Sequence, residues 1–150
     1  MISLIRTNSD NIDFIKLVQL LDTDLKIRDG DDHEFYNQFN KIDLIKHVVV
    51  VYKNDTPIGC GAIKKYDTSI TEIKRMFVLP ESRSNGLASM ILNELEKWAS
   101  ELSFNKCILE TGINQLEAIH LYSKNGYTLM PNYGQYEGIK DSRCFCKLLK

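Results

Sequence analysis

Six consecutive residues give the clearest chemical signal in this sequence: Arg83-Ser84-Asn85-Gly86-Leu87-Ala88. A helix N-terminus presents unpaired N–H groups and a partial positive charge, and both favour phosphate binding. Glycine lets a ligand approach the backbone closely, and Arg83 adds a planar cation that matches a phosphate group. The segment therefore predicts a phosphate-binding loop, although a plain strand-to-helix turn with a surface arginine is also consistent with these six residues.

The flanking residues predict the elements that must position this loop. Upstream, residues 71–79 alternate polar and apolar side chains and end in strand-forming residues, and Pro80 then stops the ladder. Downstream, apolar side chains recur at helical spacing at Leu87, Met90, Ile91, Leu95 and Trp98. The loop should thus join the end of a strand to the start of an amphipathic helix.

Two blocks of sequence resemble the GNAT family of N-acetyltransferases. The strand Glu72 to Val78, followed by Arg-x-x-Gly-x-Ala, is similar to the acetyl-CoA-binding signature of that family. Residues 110–122, continuing to Gly126-Tyr127, resemble its later strand and helix, which end in Leu-Tyr-x-x-x-Gly-aromatic. The matched blocks cover roughly residues 45 to 130.

The resemblance implies an α/β (α+β) fold with acetyl-CoA as cosubstrate and no metal. Its sheet would be mixed and mostly antiparallel, with six to seven strands, helices on both faces and a splay between the fourth and fifth strands. The other predicted strands are residues 2–6, 48–52, 58–65, 106–110, 127–130 and 142–149, and the other helices are 10–25, 33–39 and 115–124. Gly59 and Gly61 suggest a bulge or close packing in the hairpin of residues 48–65.

The family's fold also implies where the cofactor binds. The backbone of Met76, Phe77 and Val78 would pair with the pantetheine arm like an added strand, although an ordinary central strand is the alternative. Asn114 or Gln115 would contact the cofactor, or either could instead cap the helix. The pyrophosphate would be held by the backbone amides of Arg83, Ser84, Asn85, Gly86, Leu87 and Ala88.

Acetyl transfer to an amine requires a base, because an alkyl ammonium has a pKa of about 10.4 and cannot attack while protonated. Glu72 is the candidate base. Period-two alternation predicts that it shares a strand face with Lys74, Met76 and Val78, and it lies where one branch of the family has its general-base glutamate. A solvated or lysine-paired carboxylate, with a water relay as the base, is the alternative.

Tyr122 is the second candidate catalytic residue. The resemblance places it where the family's tyrosine donates a proton to the departing thiolate, and a phenol is neutral at pH 7. The alternative is a core tyrosine whose hydroxyl binds a backbone group. The backbone N–H of Val78 is the predicted donor to the thioester carbonyl.

Two segments are predicted to form the acceptor site. One is acidic, which favours a small cationic amine unless the acids simply face solvent; its charged residues are Asp22, Asp24, Lys26, Arg28, Asp29, Asp31, Asp32 and Glu34. The other is residues 131–136, whose Tyr133 and Tyr136 either wall the acceptor pocket or pack over the sheet edge.

Composition limits the remaining possibilities. With 150 residues and 43% hydrophobic content, the chain can bury a core as a single domain over residues 1–150. A net charge of −1 without a basic stripe argues against a nucleic-acid partner. The sequence lacks a secretory signal pattern and an apolar run of about 20 residues, so no membrane association and a cytoplasmic location are expected.

The cysteines and histidines do not suggest a metal site. Cys60, Cys107, Cys144 and Cys146 each lie in an apolar strand-like setting, which predicts reduced, packed thiols. The three histidines have no metal-ligand spacing. A homodimer paired through an edge strand is the default expectation for assembly.

The sequence thus predicts an acetyl-CoA-dependent N-acetyltransferase in which the amine attacks directly within a ternary complex. Two alternatives stay open. The acceptor could be a protein, through a lysine or an N-terminus, or the chain could bind acyl-CoA as a sensor without doing chemistry.

Overall fold

A computed structural model of the chain describes residues 1–29 and 45–149. The strands are β1 (Ile2–Thr7), β2 (His47–Lys53), β3 (Thr56–Lys65), β4 (Ile70–Val78), β5 (Lys106–Gly112), β6 (Thr128–Met130) and β7 (Ser142–Leu148). The α-helices are α1 (Ile12–Asp29), α2 (Leu87–Glu101) and α3 (Leu116–Lys124), and 3₁₀ turns span Pro80–Ser82 and Gly134–Tyr136. The helix predicted at residues 33–39 lies outside the described residues.

Within the described ranges, the strands form a seven-stranded sheet in the order β1-β2-β3-β4-β5-β7-β6. Its strand pairs are antiparallel except for β4 and β5, which run parallel because α2 crosses over between them. This arrangement confirms the predicted mixed, mostly antiparallel sheet.

The helices cover both faces of the sheet, as predicted. In β2 the four valines Val48–Val51 are fully buried, which is the pattern of a strand covered on both sides. Val48 and Val50 pack in the cluster that contains α1, whereas Val49 and Val51 pack in the cluster that contains α2. We call these two sides of the sheet the α1 face and the α2 face.

A β-bulge in β4 interrupts the alternation of side chains. Cys60 pairs with Phe77 and Ala62 pairs with Lys74, so Gly61 alone lies opposite two residues, Arg75 and Met76. Arg75 has a φ of 58°, in the left-handed region that accommodates an extra residue. Gly61 permits the bulge, since an added Cβ would lie 2.5 Å from the Met76 sulfur. The bulge and the close packing predicted for the hairpin glycines are both present here.

The bulge corrects one prediction about the strand. Ile73 packs on the α2 face, so its neighbours Glu72 and Lys74 lie on the α1 face. Beyond the bulge, Met76 and Val78 pack on the α2 face. The prediction that Glu72 shares a face with Met76 and Val78 was wrong, because the extra residue shifts the alternation by one position.

The sheet opens between β4 and β5, as the resemblance predicted. The two strands pair at Ile70, Thr71 and Glu72, with Lys106, Cys107 and Ile108 as their partners. From residue 73 onward β4 remains paired with β3, while β5 remains paired with β7. The second halves of β4 and β5 therefore face one another across a gap with unpaired backbone edges.

The cysteines occupy strand positions. Cys60, Cys107 and Cys144 are buried free thiols, and Cys146 is half-buried. Burial raises the pKa of Cys60 and Cys107 to about 12 and that of Cys144 to about 11, so these thiols stay protonated at neutral pH. Among the described residues, no helix is long and apolar enough to span a bilayer, and no group of metal-ligating side chains occurs.

Replacing Gly61 by valine should destabilise the protein. Its Cβ would lie 2.8 Å from Ile91 and 2.9 Å from Leu95 as well as against Met76, so the core must shift to admit it. We expect the free energy of unfolding in urea to fall by about 1–3 kcal/mol. Lys65→Val, at the exposed end of the same strand, is the control and should change it by less than about 0.5 kcal/mol. Equal stability of the two variants would contradict the close packing.

Candidate active site

A cavity of about 730 Å³ fills the gap between β4 and β5. Its lining comes from β4 residues 72–78, from the loop and first turn of α2 at residues 82–84 and 86–89, and from the end of β5. Residues of α3 close one side, and Leu21, Asp24 and Leu25 of α1 together with Tyr136 close another. The lining therefore includes residues from both faces of the sheet.

The loop before α2 has the geometry expected of a phosphate site. Gly86 is the N-cap of α2 with φ 76° and ψ 8°, a conformation that favours glycine. A Cβ on Gly86 would have no described atom within 4 Å, so this part of the backbone borders open space. Asn85 is exposed, and its amide donates to the Ser82 carbonyl at 3.2 Å, which stabilises the loop. The α2 N-terminus is thus accessible from the cavity.

Arg83 links this loop to the end of β4. Its Nε donates to the Val78 carbonyl at 2.9 Å, and its guanidinium carbon lies 5.7 Å from the centre of the Phe77 ring. Arg83 lines the cavity, as do Ser84, Gly86, Leu87 and Ala88. The structure therefore brings five of the six predicted loop residues to the cavity, and the sixth, Asn85, lies outside its lining.

The predicted pantetheine residues form the β4 side of the gap. Met76, Phe77 and Val78 all line the cavity. The N–H of Leu79 donates to the Ile58 carbonyl on the β3 side, and adjacent residues of a strand present their peptide groups to opposite edges. The N–H of Val78 consequently points toward the gap, consistent with the Val78 carbonyl being bound by Arg83 instead of β3.

Tyr122 lies at the same cavity on α3. It is buried, and its ring packs edge-to-face on Tyr127 with centroids 5.7 Å apart. Burial and the negative charge of Glu110 raise its pKa, so the phenol stays protonated and can act as a donor. Tyr127 is itself fixed, because its hydroxyl donates to Glu96 at 3.0 Å and Lys147 binds the same carboxylate at 2.8 Å.

Glu72 lies on the α1 face of the cavity within a buried polar network. The Tyr133 hydroxyl donates to its Oε2 at 2.5 Å, and the Lys74 Nζ lies 3.9 Å from its Oε1. Burial and the charge of Glu72 raise the pKa of Tyr133, which keeps that hydroxyl a donor. Burial also lowers the pKa of Lys74, and the charge of Glu72 opposes that shift. Glu72 is thus both a cavity carboxylate and a partner of a lysine.

The sequence alone did not single out three further residues that line the cavity. Glu110 on β5 accepts a hydrogen bond from Ser142 at 2.7 Å. Arg75 Nε and Thr111 Oγ1 are buried without a hydrogen-bond partner among the described residues. Polar atoms of this kind are rare inside proteins unless a ligand or water binds them. A polar residue within a buried strand is the signal that could have identified them.

The remaining predicted residues divide between the cavity and the surface. Gln115 is the N-cap of α3 and lines the cavity without a side-chain capping bond, whereas Asn114 is exposed and lies outside the lining. In the acidic segment, Asp24 lines the cavity and Asp22 binds Arg75 at 2.5 Å. Asp31, Asp32 and Glu34 lie outside the described residues, as do the side chains of Arg28 and Asp29.

The second predicted wall does reach the cavity. Tyr136 lines it, and Tyr133 packs edge-to-face on Tyr136 at 5.7 Å while it binds Glu72. The same two tyrosines pack on Ile108 and Cys144 of the sheet. The segment therefore lines the cavity and also packs on the sheet, and its role as a wall of the acceptor pocket stays a prediction.

Comparison with known proteins identifies the family. The model of the acetyltransferase (GNAT) family matches residues 14–127, and the chain belongs to that family, as the resemblance predicted. Over 90 residues it is 36% identical to an IAA acetyltransferase of Azospirillum brasilense, a match that covers 59% of this chain and 58% of that protein.

Solved structures show the same fold. A Klebsiella pneumoniae protein assigned as an acyl-CoA N-acyltransferase superimposes with a TM-score of 0.84 and 26% identity, over 100% of this chain and 99% of that one. A GNAT family acetyltransferase from Elizabethkingia anophelis with acetyl-CoA bound gives a TM-score of 0.72 at 18% identity, over 99% of this chain and 98% of that one.

The bond between Tyr133 and Glu72 should contribute measurably to stability. In Tyr133→Phe a buried carboxylate loses a short, charge-assisted hydrogen bond, and we expect the free energy of unfolding to fall by about 1–3 kcal/mol. Tyr66→Phe is the matched control, since Tyr66 packs on the same ring but is 45% exposed. Chemical denaturation of the two variants measures the difference, and equal losses would assign the effect to packing alone.

Proposed function

We propose that the protein is an acetyl-CoA-dependent N-acetyltransferase that transfers the acetyl group to a primary amine by direct attack in a ternary complex. The observation that supports it most is the cavity between β4 and β5, which joins the α2 N-terminus to two catalytic candidates, Glu72 and Tyr122. Membership of the GNAT family supports the reaction class, and the acetyl-CoA bound to the Elizabethkingia anophelis relative supports the donor.

The residues present fit acetyl-CoA. The backbone from Arg83 to Ala88 offers the pyrophosphate a helix N-terminus next to open space at Gly86. The gap-facing edge of Met76–Val78 is not paired with β5, and its backbone groups, including the Val78 N–H, are offered to the amides of pantetheine. When bound, acetyl-CoA supplies the acetyl group as a thioester.

Glu72 and Tyr122 then carry out two proton transfers of the reaction. Glu72, directly or through a water, accepts a proton from the acceptor ammonium, which frees the nitrogen to form the new C–N bond. The Val78 N–H stabilises the negative charge that develops on the carbonyl oxygen. As the C–S bond breaks, Tyr122 donates its proton to the thiolate. The nitrogen loses its second proton as the amide forms, and that proton is returned to Tyr122 through solvent, while Glu72 releases the first proton to solvent.

The acceptor is a small cationic amine. Glu72, Glu110 and Asp24 line the α1 side of the cavity, and carboxylates there attract an ammonium group. Tyr136 and residues of α1 line this compartment, and walls contributed by two separate segments favour a small molecule over a peptide. The four free thiols fit the cytoplasmic location predicted from the sequence.

Two measurements on the purified protein test the proposal. Acetyl-CoA should raise the melting temperature, since a ligand that binds the folded state stabilises it. Incubation with acetyl-CoA and a panel of small amines and lysine peptides should release free thiol. The absence of a thermal shift would refute the cofactor, whereas binding without turnover on any amine or peptide would favour a sensor.

Gly86→Glu should abolish acetyl-CoA binding, because it places bulk and negative charge where the pyrophosphate is proposed to lie. Gly138→Glu is a closely matched control. Both glycines are exposed with φ 76°, and a Cβ on either would have no described atom within 4 Å, but Gly138 is outside the cavity lining. Calorimetric titration should detect binding to the control alone; binding to both variants would remove the phosphate assignment.

Tyr122→Phe should lower kcat by about 10²-fold or more while the Kd for acetyl-CoA changes little, because the change removes one proton donor but keeps the ring. Tyr66→Phe serves as the control for a tyrosine hydroxyl outside the cavity lining. Steady-state kinetics and a binding titration separate the two effects. An unaltered kcat would reduce Tyr122 to a packing role.

A further inference from the structure

We propose that the acceptor is an amine that also bears a carboxylate, and that Arg75 and Lys74 form the site for that carboxylate. This inference rests on the proposed function and names the substrate class of its acceptor site. Its basis is a pair of buried cations on the α1 face of the cavity.

Arg75 carries one of the two buried side-chain polar atoms that have no hydrogen-bond partner among the described residues. Its side chain is 2% exposed and lines the cavity, and one end of the guanidinium binds Asp22 at 2.5 Å. The Nε is buried and has no hydrogen-bond partner among the described residues. Buried donors are almost always paired in native proteins, so an oxygen acceptor belongs at this position when the site is occupied.

The position of Arg75 is set by the backbone. It is the residue with φ 58° in the β4 bulge. Its carbonyl oxygen accepts a hydrogen bond from the Cys60 thiol, with 3.4 Å between oxygen and sulfur. The bond to Asp22 on α1 shows that the side chain extends over the α1 face. The Nε–H of a guanidinium held in this way is a prepared donor for a carboxylate oxygen, since guanidinium N–H groups form strong charge-assisted hydrogen bonds with carboxylates.

Lys74 places a second cation beside the first. It is buried, lines the cavity and precedes Arg75 in the chain. Its Nζ lies 3.9 Å from Glu72 Oε1, so Lys74 carries its charge next to the carboxylate of that residue. Burial and the charges of Lys64 and Arg75 lower the pKa of Lys74, whereas Glu72 and Glu110 oppose that shift. A bound carboxylate would further stabilise the ammonium form.

The charges lining this compartment match a zwitterion. Glu72 and Glu110 provide carboxylates for the acceptor's ammonium group, and Lys74 and Arg75 provide cations for its carboxylate. A simple diamine would leave the Arg75 Nε unpaired and would bring further positive charge beside two buried cations. An amino acid, or another amine with a nearby carboxylate, would place its ammonium group beside the two carboxylates and its carboxylate beside the two cations.

Matched ligands test the carboxylate directly. Calorimetric titration of the CoA-saturated protein would compare amino acids with the amines that lack only the carboxylate, namely lysine with 1,5-diaminopentane, phenylalanine with 2-phenylethylamine, and serine with 2-aminoethanol. The corresponding amino acid amides control for size. In at least one series the amino acid should bind about tenfold or more tightly than both counterparts, the effect expected of charge-assisted hydrogen bonds.

Substitutions of Arg75 and Lys74 test whether these two residues cause the preference for a carboxylate. Arg75→Gln should remove most of the preference for the carboxylate while acetyl-CoA affinity is retained, and Lys74→Met should reduce it. Lys65→Met and Arg143→Gln remove exposed cations outside the cavity lining and should leave it unchanged. Retained acetyl-CoA affinity also shows that a variant is folded.

The outcomes separate this inference from the proposed function. Equal affinity of the amino acid and its counterparts in every series, including no binding by any of them, would overturn the carboxylate site, as would a preference that survives in Arg75→Gln. Thiol release in the same mixtures tests acetyl transfer independently. Turnover without a carboxylate preference would therefore refute this inference and leave the proposed function standing.

Discussion

The packing of Gly61 against β4 determines how the site is divided. Because Gly61 has no side chain, two β4 residues fit opposite it, and the strand gains a residue without losing its pairing with β3. Before the extra residue, Ile73 packs on the α2 face and its neighbours Glu72 and Lys74 lie on the α1 face, whereas beyond it Met76 and Val78 pack on the α2 face. One strand thus supplies Glu72 and Lys74 to the proposed acceptor compartment and Met76 and Val78 to the proposed cofactor channel. A regular strand would have directed all four to the same face.

Charge balance governs the compartment on the α1 face. Glu72, Lys74 and Arg75 are each less than a tenth exposed, and isolated charges so deeply buried would cost several kcal/mol apiece. Tyr133 for Glu72 and Asp22 for Arg75 offset that cost in the folded chain. The network leaves the Arg75 Nε unsatisfied among the described residues, and a buried donor of this kind calls for an explanation such as a ligand that binds it.

The parts of the site that could be predicted from sequence are those set by local structure. The loop at Arg83–Ala88 and the amphipathic helix after it follow from turn and periodicity rules, and the structure places them within a residue or two of the prediction. The first helix was predicted to end at about residue 25, yet α1 continues to Asp29, because helix ends depend on tertiary contacts.

The parts that could not be predicted depend on distant residues. Arginine is not a residue that signals a positive φ, so the bulge at Arg75 has no signature in the sequence of β4. Tyr133 is 61 residues from the carboxylate it binds, and Ser142 is 32 residues from Glu110. Glu96 likewise joins α2 to β7 and to Tyr127, against which Tyr122 packs. These contacts connect α2, whose N-terminus is the proposed phosphate site, to Tyr122, the proposed proton donor, and so help to set the distance that the pantetheine arm would have to span between them.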